Sequence, residues 1–197
     1  MTIWTIASTG LSYILSLLWT WLLIFAAPFA QPAMLWIIIP IYINWIFTDF
    51  FQERKGTSLG NAITNGAVVF WVSIDWSRTI ANSWPGFSIA IMVKFILILL
   101  TFTYGLIIIV QGIRGKDFVA KFGRIREVTY VLLMFTPVIY DVLQLNLQNV
   151  TAMILCAPIF YYVMELIDRK ILPKSKVISK LEEEEATLEK FQDHPIA

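Results

Sequence analysis

Four charged residues interrupt the apolar runs of the chain: Asp75, Arg78, Lys94 and Asp141. A charged side chain at the centre of a membrane helix costs on the order of 3 kcal/mol, so it normally faces other helices and finds a partner there. Two negative and two positive charges can neutralise one another in such a place. A cluster of this kind can conduct ions, bind a small polar solute, or fasten helices to one another.

Two asparagines extend this polar chemistry along the run that contains Asp75. Spacings of three and four residues place four side chains on one helix face: Asn61, Asn65, Val72 and Asp75. A polar stripe on an inward face can line a water-filled path. It can equally hold helices together, because Asn and Asp form hydrogen bonds between helices in membranes. Both interpretations stay open from the sequence.

The elements that position these residues are predicted to be membrane-spanning helices. Of the 197 residues, 58% are hydrophobic and 15% are charged, whereas a soluble domain has roughly 25% charged residues. A helix needs roughly 20 apolar residues to cross a bilayer. The sequence therefore predicts an all-α integral membrane protein, a six-transmembrane-helix bundle within residues 1–167. Its spans are expected at about 11–27, 33–51, 61–80, 88–110, 128–143 and 150–167.

Counting along these spans brings the embedded charges to a similar depth. At 1.5 Å per residue from the inner ends of spans three and five, Asp75 lies about 21 Å and Asp141 about 20 Å from the inner surface. Lys94 enters from the outer side and also lies about 21 Å from the inner surface of a core roughly 30 Å thick. Because Arg78 follows Asp75 by one turn, we expect all four residues to form one cluster in the outer half.

The distribution of basic residues supports the number of spans and their orientation. With six spans, 13 of the 15 Lys and Arg residues fall on one side, and only Arg78 and Lys94 remain for the other. Cytoplasmic loops carry such an excess of positive charge. The sequence therefore predicts that the N-terminus and the C-terminus are both cytoplasmic, in a multi-pass protein of the cell (plasma) membrane.

A second group of charges lies on the predicted cytoplasmic side: Asp49, Glu53, Arg114, Lys116, Arg124 and Arg126. Phe118, Phe122 and Ile125 have helical spacing within the basic segment 111–127. This pattern is typical of an interfacial helix that contacts anionic lipid, although the general excess of positive charge in cytoplasmic loops explains the basic residues equally well. Residues 168–197 are expected to form a charged, partly helical cytoplasmic tail.

Composition also excludes several kinds of site. Cys156 is the single cysteine and His194 the single histidine, so the chain has no cysteine cluster or paired histidines for a metal or haem. We expect no cofactor. The net charge is +1, which gives no electrostatic argument for nucleic acid. No segment carries the complete motif of an enzyme family, and an enzyme is the less favoured interpretation.

Three functions remain compatible with these observations. The first is a transporter or channel for a small polar or ionic solute, with a pathway through the charged cluster and the Asn61 and Asn65 face. The second is a non-catalytic structural subunit or scaffold of a larger membrane complex, or a homo-oligomer. The third is an enzyme that acts on lipid headgroups at the cytoplasmic face, at Asp49, Glu53 and the basic segment 111–127.

Overall fold

The computed structural model describes residues 3–50, 59–84 and 86–170, which contain eight α-helices and no strand. The helices are α1 (Ile3–Ala30), α2 (Leu35–Phe50), α3 (Leu59–Asn82), α4 (Ile89–Ile113), α5 (Phe118–Phe122), α6 (Ile125–Ile139), α7 (Leu147–Leu155) and α8 (Ala157–Lys170). A short 3-10 helix, Pro32–Met34, joins α1 to α2. The predicted all-α class is confirmed. Residues 51–58, between α2 and α3, and the tail beyond Lys170 lie outside the described residues.

Three helical stretches are long and apolar enough to cross a membrane: Ser8–Ala30, Ile89–Ile113 and Leu147–Ile167. Their mean hydropathies are 1.8, 2.5 and 1.9, and the segment Pro32–Thr48 is also apolar but shorter. Only 22% of the apolar window in α4 is buried within the protein, so its outward surface is largely apolar, as contact with lipid requires. These helices identify a membrane protein.

The antiparallel pair of α3 and α4 forms the most extensive helix contact. Its close approach depends on two glycines. A Cβ atom on Gly105 would lie 2.7 Å from the backbone nitrogen of Phe70, and one on Gly66 would lie 2.6 Å from Cγ2 of Ile108. Small residues at such positions let membrane helices pack backbone to backbone. Ser88 begins α4 as its N-cap and accepts a hydrogen bond from the Ile91 amide.

The short helix α6 occupies the centre of the bundle. Eleven of its 15 residues are buried, and it packs against α1, α2, α3 and α8. A helix surrounded by protein is apolar on most sides, so its apolar run need not match the thickness of the bilayer. This accounts for the shortness of the fifth predicted span. Most of the main apolar core is assembled around α6, from residues of α1, α2, α3 and α8.

Two predicted spans differ from the observed helices. Span five was expected to reach residue 143, but α6 ends at Ile139, so Asp141 lies beyond the helix instead of within it. Span six is interrupted by a turn at Cys156, directly before α8, where Pro158 follows. Proline cannot donate a backbone hydrogen bond, which permits a break at this point.

Candidate functional site

Asp75 of α3 is buried, with 4% of its surface exposed, and both of its carboxylate oxygens are bonded. Oδ1 lies 2.5 Å from Nη2 of Arg78, one helical turn further along. Oδ2 accepts a hydrogen bond of 2.7 Å from the hydroxyl of Tyr140. The first partner belongs to the same helix and is exposed, whereas the second comes from the end of α6. The buried carboxylate therefore joins α3 to α6.

Lys94 of α4 is buried and makes two bonds to the same end of α6. Its Nζ lies 2.6 Å from Oδ1 of Asp141 and donates to the backbone carbonyl of Ile139 at 3.3 Å. The lysine side chain is 7% exposed and the aspartate side chain 72%. The carbonyls of the last helical turn have no partner within the helix, and a nearby cation is favoured there. The ammonium group thus stabilises the C-terminus of α6.

The shape of the chain after α6 places Asp141 for this contact. Asp141 has φ of 60° and is the one non-glycine residue with positive φ among those described. The backbone N–H of Val142 donates to the carbonyl of Pro137 at 3.0 Å, and the backbone N–H of Asp141 donates to the carbonyl of Val138 at 3.4 Å. These two bonds form a Schellman motif, in which the left-handed position is usually glycine. Here an aspartate takes that position and pairs with Lys94.

The four residues expected to form one cluster are therefore arranged as two ion pairs. Asp75 pairs with Arg78, and Lys94 pairs with Asp141. The pairs are connected through the backbone of α6, because Tyr140 binds Asp75 and the next residue is Asp141. Tyr140 was not among the candidate residues. Its place directly before Asp141 is the one sequence signal that could have identified it.

Asn65 belongs to a different network, ten residues or about 15 Å along α3 from Asp75. It is fully buried. Its Oδ1 accepts hydrogen bonds from Asn44 at 2.9 Å and Thr48 at 3.3 Å, and its Nδ2 donates to the Gly123 carbonyl at 2.7 Å. Asn65 thus ties α2, α3 and the turn between α5 and α6. Asn61 lies half-buried near the start of α3.

Other buried polar groups also connect helices to α6. The indole of Trp76 donates to Thr136 at 3.3 Å, and that hydroxyl donates to Leu132 within α6. The indole of Trp21 donates to the Tyr130 hydroxyl at 3.1 Å, and Tyr130 donates to the Met153 carbonyl. No pattern in the sequence singled out these residues, because aromatic side chains are common throughout the chain.

The residues of the predicted cytoplasmic group are dispersed. Arg126 pairs with Glu165 of α8 at 2.6 Å, and Arg124 lies 3.8 Å from Glu127. Arg114 and Lys116 are exposed after α4. The Asp49 side chain and Glu53 lie outside the described residues. The hypothesis of a lipid-headgroup enzyme at these two acids therefore stays a prediction.

Part of the segment that was predicted to form an interfacial helix is helical, and its contact with lipid stays a prediction. Residues 118–122 form α5, whose Phe118 and Phe122 are exposed at 43% and 59%. The helix ends at Gly123, and Ile125 instead begins α6 and is buried. A Cβ atom at Gly123 would lie 2.8 Å from Cβ of Ala62, so this break lets the chain pass close to α3.

The arrangement of the described residues provides ion pairs and interhelical hydrogen bonds. Among the described residues, no group of three or more His, Cys, Asp or Glu side chains is placed to hold a metal ion. Comparison of the chain with protein-family models, with curated proteins and with solved structures finds no match. Inference about function therefore depends on the geometry.

Proposed function

We propose that this protein is a non-catalytic scaffold subunit of a larger membrane complex. The proposal rests on the contacts that the two buried charged side chains make. Asp75 and Lys94 are the two buried charged residues of the described chain. Asp75 is bonded to Tyr140, and Lys94 to Ile139 and Asp141, all at the C-terminal end of α6. Groups that a transported solute would need to contact are thus engaged in joining helices.

The polar stripe of α3 supports the same proposal. The side chain of Asn65 forms hydrogen bonds with three partners from other segments, two through Oδ1 and one through Nδ2. Asn65 is 0% exposed, whereas a residue that lined a water-filled path would keep part of its surface open to water. Hydrogen bonds between membrane helices are worth roughly 0.6 kcal/mol on average, so several of them together give a small bundle a defined shape.

The proposal includes six spans with both termini in the cytoplasm of a plasma membrane. The spans would be α1, α2, α3, α4, α6 and the combined α7–α8, while α5 would lie at the inner interface. The charge distribution supports this orientation, because only Arg78 and Lys94 then lie towards the outer side. Helix α6 would cross the bilayer inside the bundle, shielded from lipid on most of its surface.

One observation favours transport as a second candidate. Each ion pair joins a buried group to an exposed one: Asp75 to Arg78, which is 57% exposed, and Lys94 to Asp141, which is 72% exposed. Because one member of each pair is exposed, an ion or a polar solute can replace it as the partner of the buried group. The pathway of the transport hypothesis would then begin at Asp141 and Arg78.

Extraction of the protein within a patch of its native membrane, followed by native mass spectrometry, tests the scaffold proposal. We expect a second polypeptide in fixed stoichiometry. The Asp75→Asn variant should reduce both the thermal midpoint and the yield of this complex, whereas Ser83→Ala, at the exposed end of α3, should change neither. A chain recovered only by itself, or only as a homo-oligomer, argues against a scaffold of a larger complex.

Flux through liposomes that contain only the purified protein separates the two candidates. If the chain is a scaffold, protons and potassium ions should cross these vesicles no faster than they cross empty ones. Faster flux that Asp75→Asn abolishes without lowering the thermal midpoint would establish transport instead.

A further inference from the structure

Two apolar grooves run along the outer face of α6, one on each side. The first lies between α4 and α6 above Val69 of α3, and its volume is about 330 Å³. The second lies between α6 and the α7–α8 segment, and its volume is about 370 Å³. Val131 and Phe135 line both grooves. They are one turn apart on α6 and form a ridge between the two grooves.

The first groove has a charged end, and the second does not. Glu127 lines the first groove next to Tyr104 and Thr101. Arg124 lies 3.8 Å from Glu127, and the two side chains are 60% and 45% exposed. Every residue that lines the second groove is apolar apart from Tyr130, whose hydroxyl donates to Met153. One positive and one negative group therefore stand at a single end of a forked apolar surface.

We propose that this forked surface binds one phospholipid that has two acyl chains and a primary amine in its headgroup. One chain would lie in each groove, on either side of the Val131–Phe135 ridge. Arg124 would bind the phosphate, and Glu127 would accept hydrogen bonds from the ammonium group. An anionic headgroup without an amine fits less well, because the carboxylate of Glu127 repels it.

A lipid suits the ridge better than a helix of a partner protein does. A helix with its side chains is about 10–12 Å wide and needs one continuous trough, whereas here the ridge divides the surface in two. Glu127 and Arg124 stand together at that end, so a single headgroup that carries both a phosphate and an amine can contact both of them. This site lies apart from the ion pairs of Asp75 and Lys94, so it does not depend on the proposed scaffold function.

Native mass spectrometry of the delipidated full chain tests the headgroup. The probes are phosphatidylethanolamine, phosphatidylcholine and phosphatidylglycerol with identical acyl chains. We expect one phosphatidylethanolamine to bind at least fivefold more tightly than either of the others. Glu127→Gln should reduce that preference to near onefold, and Arg124→Gln should weaken binding of all three. Equal binding of the three lipids by the unaltered chain would overturn the proposal.

Filling a groove tests the position of the chains. Val131→Trp should weaken binding of phosphatidylethanolamine at least tenfold, and Leu100→Trp, from the opposite wall of the first groove, should also weaken it. The control is Val163→Trp on α8, because Val163 is exposed to a similar extent (42% against 45% for Val131) and lines neither groove. Thermal midpoints identify any variant that fails to fold. Folded variants of both walls that bind normally, or a polypeptide crosslinked to position 131 in native membranes, would contradict the lipid site.

Discussion

Asp75 and Lys94, the two buried charges of the described bundle, come from adjacent antiparallel helices yet are held by consecutive residues of a third helix end. The hydroxyl of Tyr140 binds Asp75, and the carboxylate of Asp141 binds Lys94. The end of α6 therefore fixes the register of α3 and α4 together. Removal of either contact should loosen this end of the bundle while the glycine contacts of α3 and α4 stay in place.

The contact between Tyr140 and Asp75 can be measured by a double-mutant cycle. We expect Tyr140→Phe and Asp75→Asn to couple by roughly 1 kcal/mol, above the average of about 0.6 kcal/mol for hydrogen bonds between membrane helices because the acceptor is a buried carboxylate. Thermal unfolding in detergent provides the free energies. Tyr162→Phe, an exposed tyrosine on α8, is the control and should show no coupling with Asp75→Asn. Independent effects of the Tyr140 and Asp75 substitutions would mean that the observed hydrogen bond does not stabilise the fold.

The left-handed backbone at Asp141 predicts an unusual order of stabilities. Asp141→Gly and Asp141→Ala both remove the carboxylate that binds Lys94. Glycine adopts positive φ without steric cost, whereas alanine does not. Asp141→Gly should therefore be more stable than Asp141→Ala by about 1 kcal/mol, which a comparison of thermal midpoints would detect. If the two variants unfold together, the turn does not need its left-handed residue.

The glycine contact between α3 and α4 predicts a selective effect of a single methyl group. Gly105→Ala places a Cβ atom against the backbone of Phe70 and should cost about 1–3 kcal/mol. Gly10→Ala is the matched control, because a Cβ atom there meets nothing within 4 Å, and alanine favours a helix. Thermal unfolding of both variants checks this prediction. Equal effects at the two positions would show that the helices tolerate separation.

The proposed six-span topology predicts opposite accessibility of two turns. In a Cys156→Ser background, a cysteine at Ser83 should react with a membrane-impermeant maleimide added outside intact cells. A cysteine at Lys116 should react only after the membrane is made permeable. Both positions are exposed. Labelling of both from the same side would rule out a crossing of the membrane by α4.

The sequence predicted the helical class from the length of its apolar runs, and it predicted the shared face of Asn65, Val72 and Asp75 from their spacing along α3. The depth estimate also brought Asp75, Lys94 and Asp141 towards one level. It did not predict which charges pair, since pairing depends on the rotation of each helix about its axis. Asp75 pairs with Arg78 and Lys94 with Asp141, and Tyr140, which precedes Asp141, links the two pairs.

The end of α6 was mispredicted because the sequence has no glycine at that point. The end of a helix in a Schellman motif is usually marked in the sequence by a glycine at the left-handed position. In α6 that position is occupied by Asp141. The apolar run continues to Val142 and Leu143, so hydropathy extends the span too far. By contrast, the spacing of Ala62 and Gly66 is a small-residue pattern that marks close packing, and attention to it would have identified α3 as one member of the tight pair.

The central position of α6 has a consequence for the order in which the chain assembles during synthesis. Among the described helices, α1 packs mainly on α6 and α7, and α2 packs most extensively on α6, so both emerge from the ribosome well before those partners exist. The α3–α4 hairpin needs only neighbours in sequence and can form at once. A nascent chain that ends before residue 125 would contain the packed α3–α4 hairpin, but α1 and α2 would lack their main packing partners. Such unpacked helices are substrates for membrane chaperones and quality-control proteases.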